Sequence, residues 1–225
     1  MAIVFDRVRA SRHGRPVLHE TALTLRERRI GVVGPNGSGK SSLARLINGL
    51  LLPDAGSVRV DGLDTRADAR AVRRRVGFVF QNPADQIVFP VVSEDIGFGL
   101  RNLGLARGEI AARSAAVLER FGLAHLAERP SHALSGGEKQ MVALAAVLVT
   151  EPAIVVFDEP TTLLDLRHRN RVRAAIAGLA QTAIVVSHDL ALLEGFERVL
   201  VMDAGRVVAD DAAEPALRWY VDHLS

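Results

Sequence analysis

The sequence has no cysteine, which excludes disulfides and thiolate-bound metals and suits a reducing compartment. Lysine is almost as scarce: of 28 basic residues only Lys40 and Lys139 are lysines, and arginine supplies the rest. A lysine inside a functional pattern therefore stands apart from the composition. The net charge is +2, and no excess of one sign marks the chain for broad nucleic-acid binding. The longest apolar run, Met141 to Val149, falls far short of the roughly 18 residues that a membrane span needs, so the chain reads as soluble. The first twelve residues carry Asp6, Arg7 and Arg9 and lack the apolar stretch of a signal peptide. Internal repeats and low-complexity tracts are missing as well. What remains is 225 residues at 48% hydrophobic and 24% charged content, ordinary values for a folded domain with a sizeable core.

Apolar periodicity divides the chain. Ile3 to Ala10, Val17 to Leu25, Ile30 to Val33, Val58 to Val60 and Val76 to Phe80 read as strands. Leu43, Leu46, Ile47 and Leu50 share one face of a helix that Gly49 and Pro53 bring to an end. From Gln81 to about Thr150 the character shifts: glycine and proline punctuate Asn82 to Gly108, and helices are expected at 109–121 and 136–149. Strands return at Ala153 to Phe157, Ala183 to Val186, Val199 to Met202 and Val207-Val208. Strands alternating with helices predict an α/β fold with a mainly parallel core sheet and a helical insertion. The arginine clusters at 73–75 and 167–173 read as solvated helix faces.

Three segments carry chemistry. Gly34-Pro35-Asn36-Gly37-Ser38-Gly39-Lys40-Ser41 follows a strand and opens a helix. Its glycines let backbone N–H groups turn inward on phosphate, Lys40 reaches the β- and γ-phosphates, and the Ser41 hydroxyl can ligate Mg²⁺. Ile154 to Phe157 is a continuous apolar strand ending in Asp158-Glu159. Such a pair is often only a solvated turn. Beside a phosphate loop, Asp158 can hold Mg²⁺ and Glu159 can act as general base on water. Ala183 to Val186 repeats the design and ends in Ser187-His188, and Gln81 follows the strand at 76–80. A lone histidine is ordinarily a surface or core residue; at this strand end His188 could touch a γ-phosphate, and the Gln81 amide could meet Mg²⁺ or the attacking water.

Leu134-Ser135-Gly136-Gly137-Glu138-Lys139-Gln140 decides the family: it resembles the signature motif of ABC ATPases. Ser135 with Glu138 is also a capping box, and capping can build the anion nest formed by Ser135 and the N–H groups of Gly136 and Gly137. By this resemblance Gly34 to Ser42 is the Walker A loop, Gln81 the Q-loop glutamine and Asp158-Glu159 the end of Walker B. Thr162-Leu163-Leu164-Asp165 resembles the D-loop, and His188 the switch histidine. The implied fold is the P-loop ABC ATPase fold, with an N-terminal antiparallel β subdomain, a core over about 1–81 and 151–212, helices over about 82–150, and a short tail at 213–225. ATP and Mg²⁺ are the implied cofactors. The signature of one protomer would cover ATP held by its partner, giving a homodimer, or a pair with a second ATPase, that closes on two nucleotides. The aromatic that usually stacks on adenine is replaced at the expected place by Arg12 or His13.

Asn82-Pro83-Ala84-Asp85-Gln86-Ile87 and the stretch 91–105 resemble energy-coupling-factor importers of vitamins and metal ions. That resemblance implies a groove for a transmembrane coupling protein, a substrate-binding membrane protein, and a place on the cytoplasmic face of the membrane; reversing the charges of Glu94 and Asp95 is expected to weaken docking without abolishing nucleotide binding. Residues 28–34 and 161–167 resemble the biotin-transporter ATPase, with cobalt or nickel import as the alternative. A nucleotide-gated scaffold that does not hydrolyse is a reading from another class, against which Glu159 and His188 speak. DNA-repair ATPases carry long coiled-coil or DNA-binding insertions, for which this chain has no room.

Overall fold

The computed structural model describes residues 1–162 and 164–224. In chain order these form β1 (Ile3–Arg12), β2 (Arg15–Leu25), β3 (Arg29–Val33), α1 (Lys40–Ile47), β4 (Ala55–Val60), β5 (Leu63–Asp64), α2 (Ala69–Arg75), β6 (Val76–Val79), α3 (Val92–Asn102), α4 (Arg107–Arg120), α5 (Gly136–Leu148), β7 (Ile154–Asp158), α6 (Leu166–Ala177), β8 (Thr182–Val186), α7 (Leu190–Leu193), β9 (Arg198–Asp203), β10 (Arg206–Asp211) and α8 (Ala213–Leu224). A four-stranded antiparallel sheet runs β2-β1-β4-β5, and a six-stranded sheet runs β10-β9-β3-β8-β7-β6. In the second sheet every neighbouring pair is parallel except β9 and β10.

Alternation within the apolar runs builds two cores from one sheet. Successive strand side chains point to opposite faces. Ile154 and Val156 therefore join Ile184, Val186, Ile30 and Val32 against α1 and the antiparallel sheet. Val155 and Phe157 join Val185, Val199 and Val201 against the helices on the other face. Burial on both faces is why these strands read as unbroken Val/Ile runs rather than as alternating ones.

Two local expectations are corrected. Leu50 does not continue the buried face of α1. The helix ends at Ile47, Gly49 takes a φ of 70°, and Leu50 turns outward at 47% exposure. The glycine-punctuated stretch at 92–102 is a helix despite Gly97 and Gly99. A Cβ on Gly97 would sit 3.2 Å from Ile110 Cγ2, and one on Gly99 would sit 2.7 Å from Thr150 Cγ2. These glycines mark close packing rather than a break, at a helix-propensity cost of about 1 kcal/mol each. The arginines at 73–75 are exposed as expected. Those of α6 are partly engaged: Arg171 donates to the Phe121 carbonyl at 2.9 Å, and Arg169 and Arg173 lie within 4 Å of Asp189. Among the described residues, no helix is long and apolar enough to cross a membrane.

The consequence for chemistry is one shared edge. β3, β8, β7 and β6 are parallel and adjacent, with Val32 opposite Val186, Asp158 opposite Val186 and Val79 opposite Phe157. The segments leaving their carboxyl ends must therefore emerge side by side, where ligands gather in open α/β sheets.

Candidate functional site

The loop between β3 and α1 turns on glycines that no other residue could replace. Gly34 has φ 148°, and a Cβ there would lie 2.0 Å from the Met202 carbonyl oxygen; Gly39 has φ 101°, with the Val17 carbonyl oxygen 2.4 Å from its Cβ position. Close approach to β9 and β2 thus holds the loop in its curl. Gly39 caps α1 without a side-chain acceptor. Among the described hydrogen bonds, the N–H groups of Gly37, Gly39, Lys40, Ser41 and Ser42 have no acceptor. A loop and helix start with uncommitted donors is built to receive an anion. Lys40 folds back over the loop, its Nζ donating to the carbonyls of Gly34 at 2.7 Å and Pro35 at 2.8 Å. Burial pushes the Lys40 ammonium below its ordinary pKa, while the negative charges of Glu159 and Asp158 act the other way.

At the end of β7, Asp158 is 1% exposed. A buried carboxylate needs partners. Asp158 Oδ1 accepts from the Ser41 hydroxyl at 2.7 Å, and Arg45 Nη2 lies 3.6 Å from Oδ2. Glu159, 6% exposed, takes a left-handed φ of 52°. A non-glycine residue held there stores strain of order 1–3 kcal/mol, a cost that recurs at functional sites. Glu159 Oε2 accepts from the His188 backbone N–H at 3.2 Å and from the Thr162 hydroxyl at 3.3 Å. His188 Nε2 stands 3.0 Å from Oε1, close enough to form an ion pair when the imidazole is protonated.

These groups open on a cleft of about 380 Å³ lined by Asn36, Gly37, Gly39, Lys40, Ser41, Ser42, Gln81, Glu159, Thr162 and His188, with Arg12 and Val17 at one side. Of the two positions expected near adenine, Arg12 lines the cleft, whereas His13 sits in the β1–β2 turn at φ 52°. Gly34, Pro35 and Ser38 act behind the cleft: two offer carbonyls to Lys40, and Ser38 is buried with its hydroxyl unpaired. Asp158 reaches the cleft through Ser41. Arg45 and the Thr162 hydroxyl were not foreseen as site groups. Arg45 lies one helical turn beyond Ser41, a spacing that places both on one face of α1.

Ser135, Gly136, Gly137 and Asp165 do not line this cleft. Ser135 and Glu138 form the expected capping box, with Ser135 N donating to Glu138 Oε2 at 2.8 Å and Glu138 N to Ser135 Oγ at 3.3 Å. The N–H groups of Gly136, which is exposed, and of Gly137, which is buried, have no acceptor among the described hydrogen bonds, which leaves a second donor nest. Asp165 caps α6, accepting from the His168 N–H at 2.8 Å; the neighbouring Leu163 of the expected D-loop lies outside the described residues, as does Ser225 of the expected tail.

Residues 18–162 match the family model for ABC transporters. The chain belongs to the ABC transporter family of ATPases. Its core is the ABC ATPase fold, as shown by its superposition on the dimeric MJ0796 ATP-binding cassette bound to ADP and Pi, with a TM-score of 0.85 at 26% identity over 94% of this chain and 99% of that one. Among ABC transporter relatives it is 50% identical to the biotin transport ATP-binding protein BioM of Rhizobium etli, over 98% of both chains. It is 46% identical to the cobalt import ATP-binding protein CbiO of Syntrophus aciditrophicus, over 90% of this chain and 75% of that one.

A second cleft of about 370 Å³ lies in this ABC ATPase between residues 84–90 and 131–139, with Val88 71% exposed on its rim. Of the stretches expected to line a docking groove, Ala84 and Ile87 border this cleft, and no residue of 91–105 does. Glu94 is exposed, but Asp95 is not a docking charge: it is buried, and its Oδ1 accepts from Val88 N at 2.8 Å and Phe89 N at 3.0 Å. Asp95 shapes the rim instead of facing a partner.

Proposed function

We propose that this chain is the ATP-hydrolysing subunit of an energy-coupling-factor importer, with biotin as its cargo, and that it closes as a dimer on two ATP molecules at the cytoplasmic face of the membrane. The observation that carries the reading is the buried Glu159 carboxylate, with His188 Nε2 3.0 Å from one oxygen, opening on the same cleft as Lys40 and Ser41. In this reading Lys40 and the loop N–H groups bind the β- and γ-phosphates. Glu159 takes a proton from the attacking water, and His188 and Gln81 hold the water and the terminal phosphate in place. Asp158, Ser41 and Gln81 offer oxygen donors of the kind Mg²⁺ accepts alongside phosphate oxygens. Bound there, the ion would neutralise charge on the β- and γ-oxygens. The Ser135–Gly137 nest, turned away from its own cleft, serves the nucleotide of the partner protomer.

The groove at 84–90 and 131–139 would take helices of a transmembrane coupling protein, which in turn holds a substrate-binding membrane protein; no nucleic acid is involved. The BioM relative supports biotin as cargo, and the CbiO relative supports cobalt as the second reading. Glu159→Gln tests the chemistry. Turnover should fall about 10²-fold or more while ATP stays bound and the dimer persists; undiminished hydrolysis removes Glu159 from the base role. Radiolabelled biotin and cobalt offered to the purified importer complex decide the cargo, and a complex that ignores biotin overturns that part.

A further inference from the structure

The ring of His168 joins two elements that the motifs treat as separate. Its Nδ1 lies 2.9 and 3.0 Å from the two carboxylate oxygens of Asp165. Its other edge lies on the backbone of Gly137: a Cβ built on that glycine would meet His168 Cδ2 at 2.1 Å and Cγ at 2.2 Å. Gly136, the neighbouring glycine, has nothing within 4 Å of its Cβ position. The imidazole thus occupies the space beside one glycine of the donor nest and leaves the other open.

We propose that His168 is a positioning residue that sets the donor nest at the start of α5 against the segment running from Glu159 to Asp165. The inference rests on the reading of this chain as an ATP-closed dimer. The contacts on the Glu159 side are direct: the Thr162 hydroxyl donates to the Glu159 carboxylate at 3.3 Å, Thr162 N donates to the Glu159 carbonyl at 3.3 Å, and Leu164 N donates to the Thr161 carbonyl at 3.3 Å. Asp165 then holds both the His168 backbone N–H and the His168 ring. Two anchors on one carboxylate fix the imidazole, and the imidazole fixes how near α5 can come. The Gly137 N–H, meant for the partner's nucleotide, is therefore placed by Asp165 acting through the ring of His168. Histidine suits this post because a planar ring can be held by one nitrogen while its far edge packs flat on a glycine backbone.

The test uses the Glu159→Gln background, in which ATP accumulates unhydrolysed. Adding His168→Ala deletes the ring and leaves Asp165 free to cap the residue-168 N–H. Sedimentation with saturating MgATP should show a dimer dissociation constant raised about tenfold, the scale of one well-packed interface group. Fluorescent-ATP affinity of the dilute protomer and the melting temperature should hold. His168→Asn, which keeps a planar group with an N–H toward Asp165, should recover most of the dimer. An unchanged dimer constant, a parallel loss of protomer affinity, or no recovery with Asn overturns the role of His168. A parent Glu159→Gln protein that stays monomeric in MgATP overturns the dimer reading itself, and the inference with it.

Discussion

The hydroxyl of Ser41 donates to Asp158 at 2.7 Å across 117 positions of sequence, tying the phosphate loop to the acidic end of β7. Each group needs the other when no metal stands between them. Asp158 is buried, and Ser41 and the more distant Arg45 are its side-chain partners among the described residues. Ser41→Ala should lower stability by about 1–3 kcal/mol, the cost of leaving a buried acceptor short of a donor. It should also shrink the gain in ATP affinity that Mg²⁺ brings, because one of the oxygen donors proposed for the metal would be gone. Ser41→Thr keeps the hydroxyl and should keep both properties. Fluorescent-nucleotide titrations with Mg²⁺ and with EDTA measure the gain, and an Ala variant with the wild-type gain places the ion elsewhere.

The loop glycines should respond unequally. At Gly37, φ is 80° and a Cβ meets nothing within 4 Å, so Gly37→Ala faces only the left-handed backbone penalty of about 1–2 kcal/mol. At Gly34 a Cβ would lie 2.0 Å from a β9 carbonyl oxygen, and strand and loop must part to admit it. Gly34→Ala should then cost about 3 kcal/mol or more, the upper end of overpacking. Urea unfolding of the two variants ranks them. Equal losses would mean that the loop is free to slide along β9, against the geometry.

Sequence alone exposes the site more fully than the fold, for a physical reason. The site lies at strand ends, where an apolar run gives way abruptly to Asp158-Glu159, to Ser187-His188 or to Gly34, and such edges need no tertiary knowledge to see. Helix α6 is harder. Val172 and Ile176 are its only buried residues, and four arginines among its twelve residues obscure the apolar spacing. Helix α3 hides behind Gly97 and Gly99, whose cost is repaid by packing on Ile110 and Thr150, contacts invisible along the chain. Local pattern also cannot tell which way a nest faces. Ser135 reads equally as a cap and as an anion site, and only the folded chain places it outside the cleft that holds Lys40. The pairing of His168 with Gly137 joins residues 31 positions apart, neither of which carries any marker of the other.

Acid should weaken the cap that starts α5. The Ser135 N–H donates to the Glu138 carboxylate, and the Ser135 hydroxyl meets the same residue; these bonds hold the carboxyl below its ordinary pKa of 4.5, against a small opposing effect of burial. A carboxylate whose folded pKa is depressed stabilises the fold above its unfolded pKa, and that stability is lost as pH falls through the folded value. Glu138→Gln keeps the shape and an acceptor oxygen but removes the charge. At pH 7 the variant should be less stable by about 0.3–1 kcal/mol, the range for a charge at a helix N-terminus. The gap should begin to close below about pH 4.5 and be absent once the wild-type carboxyl is protonated. Urea unfolding of both proteins from pH 7 down to the acid limit of folding measures it. A gap that stays constant with pH would show that Glu138 stabilises α5 by packing, and that the charge plays no part in holding the Gly136 and Gly137 donors open for an anion.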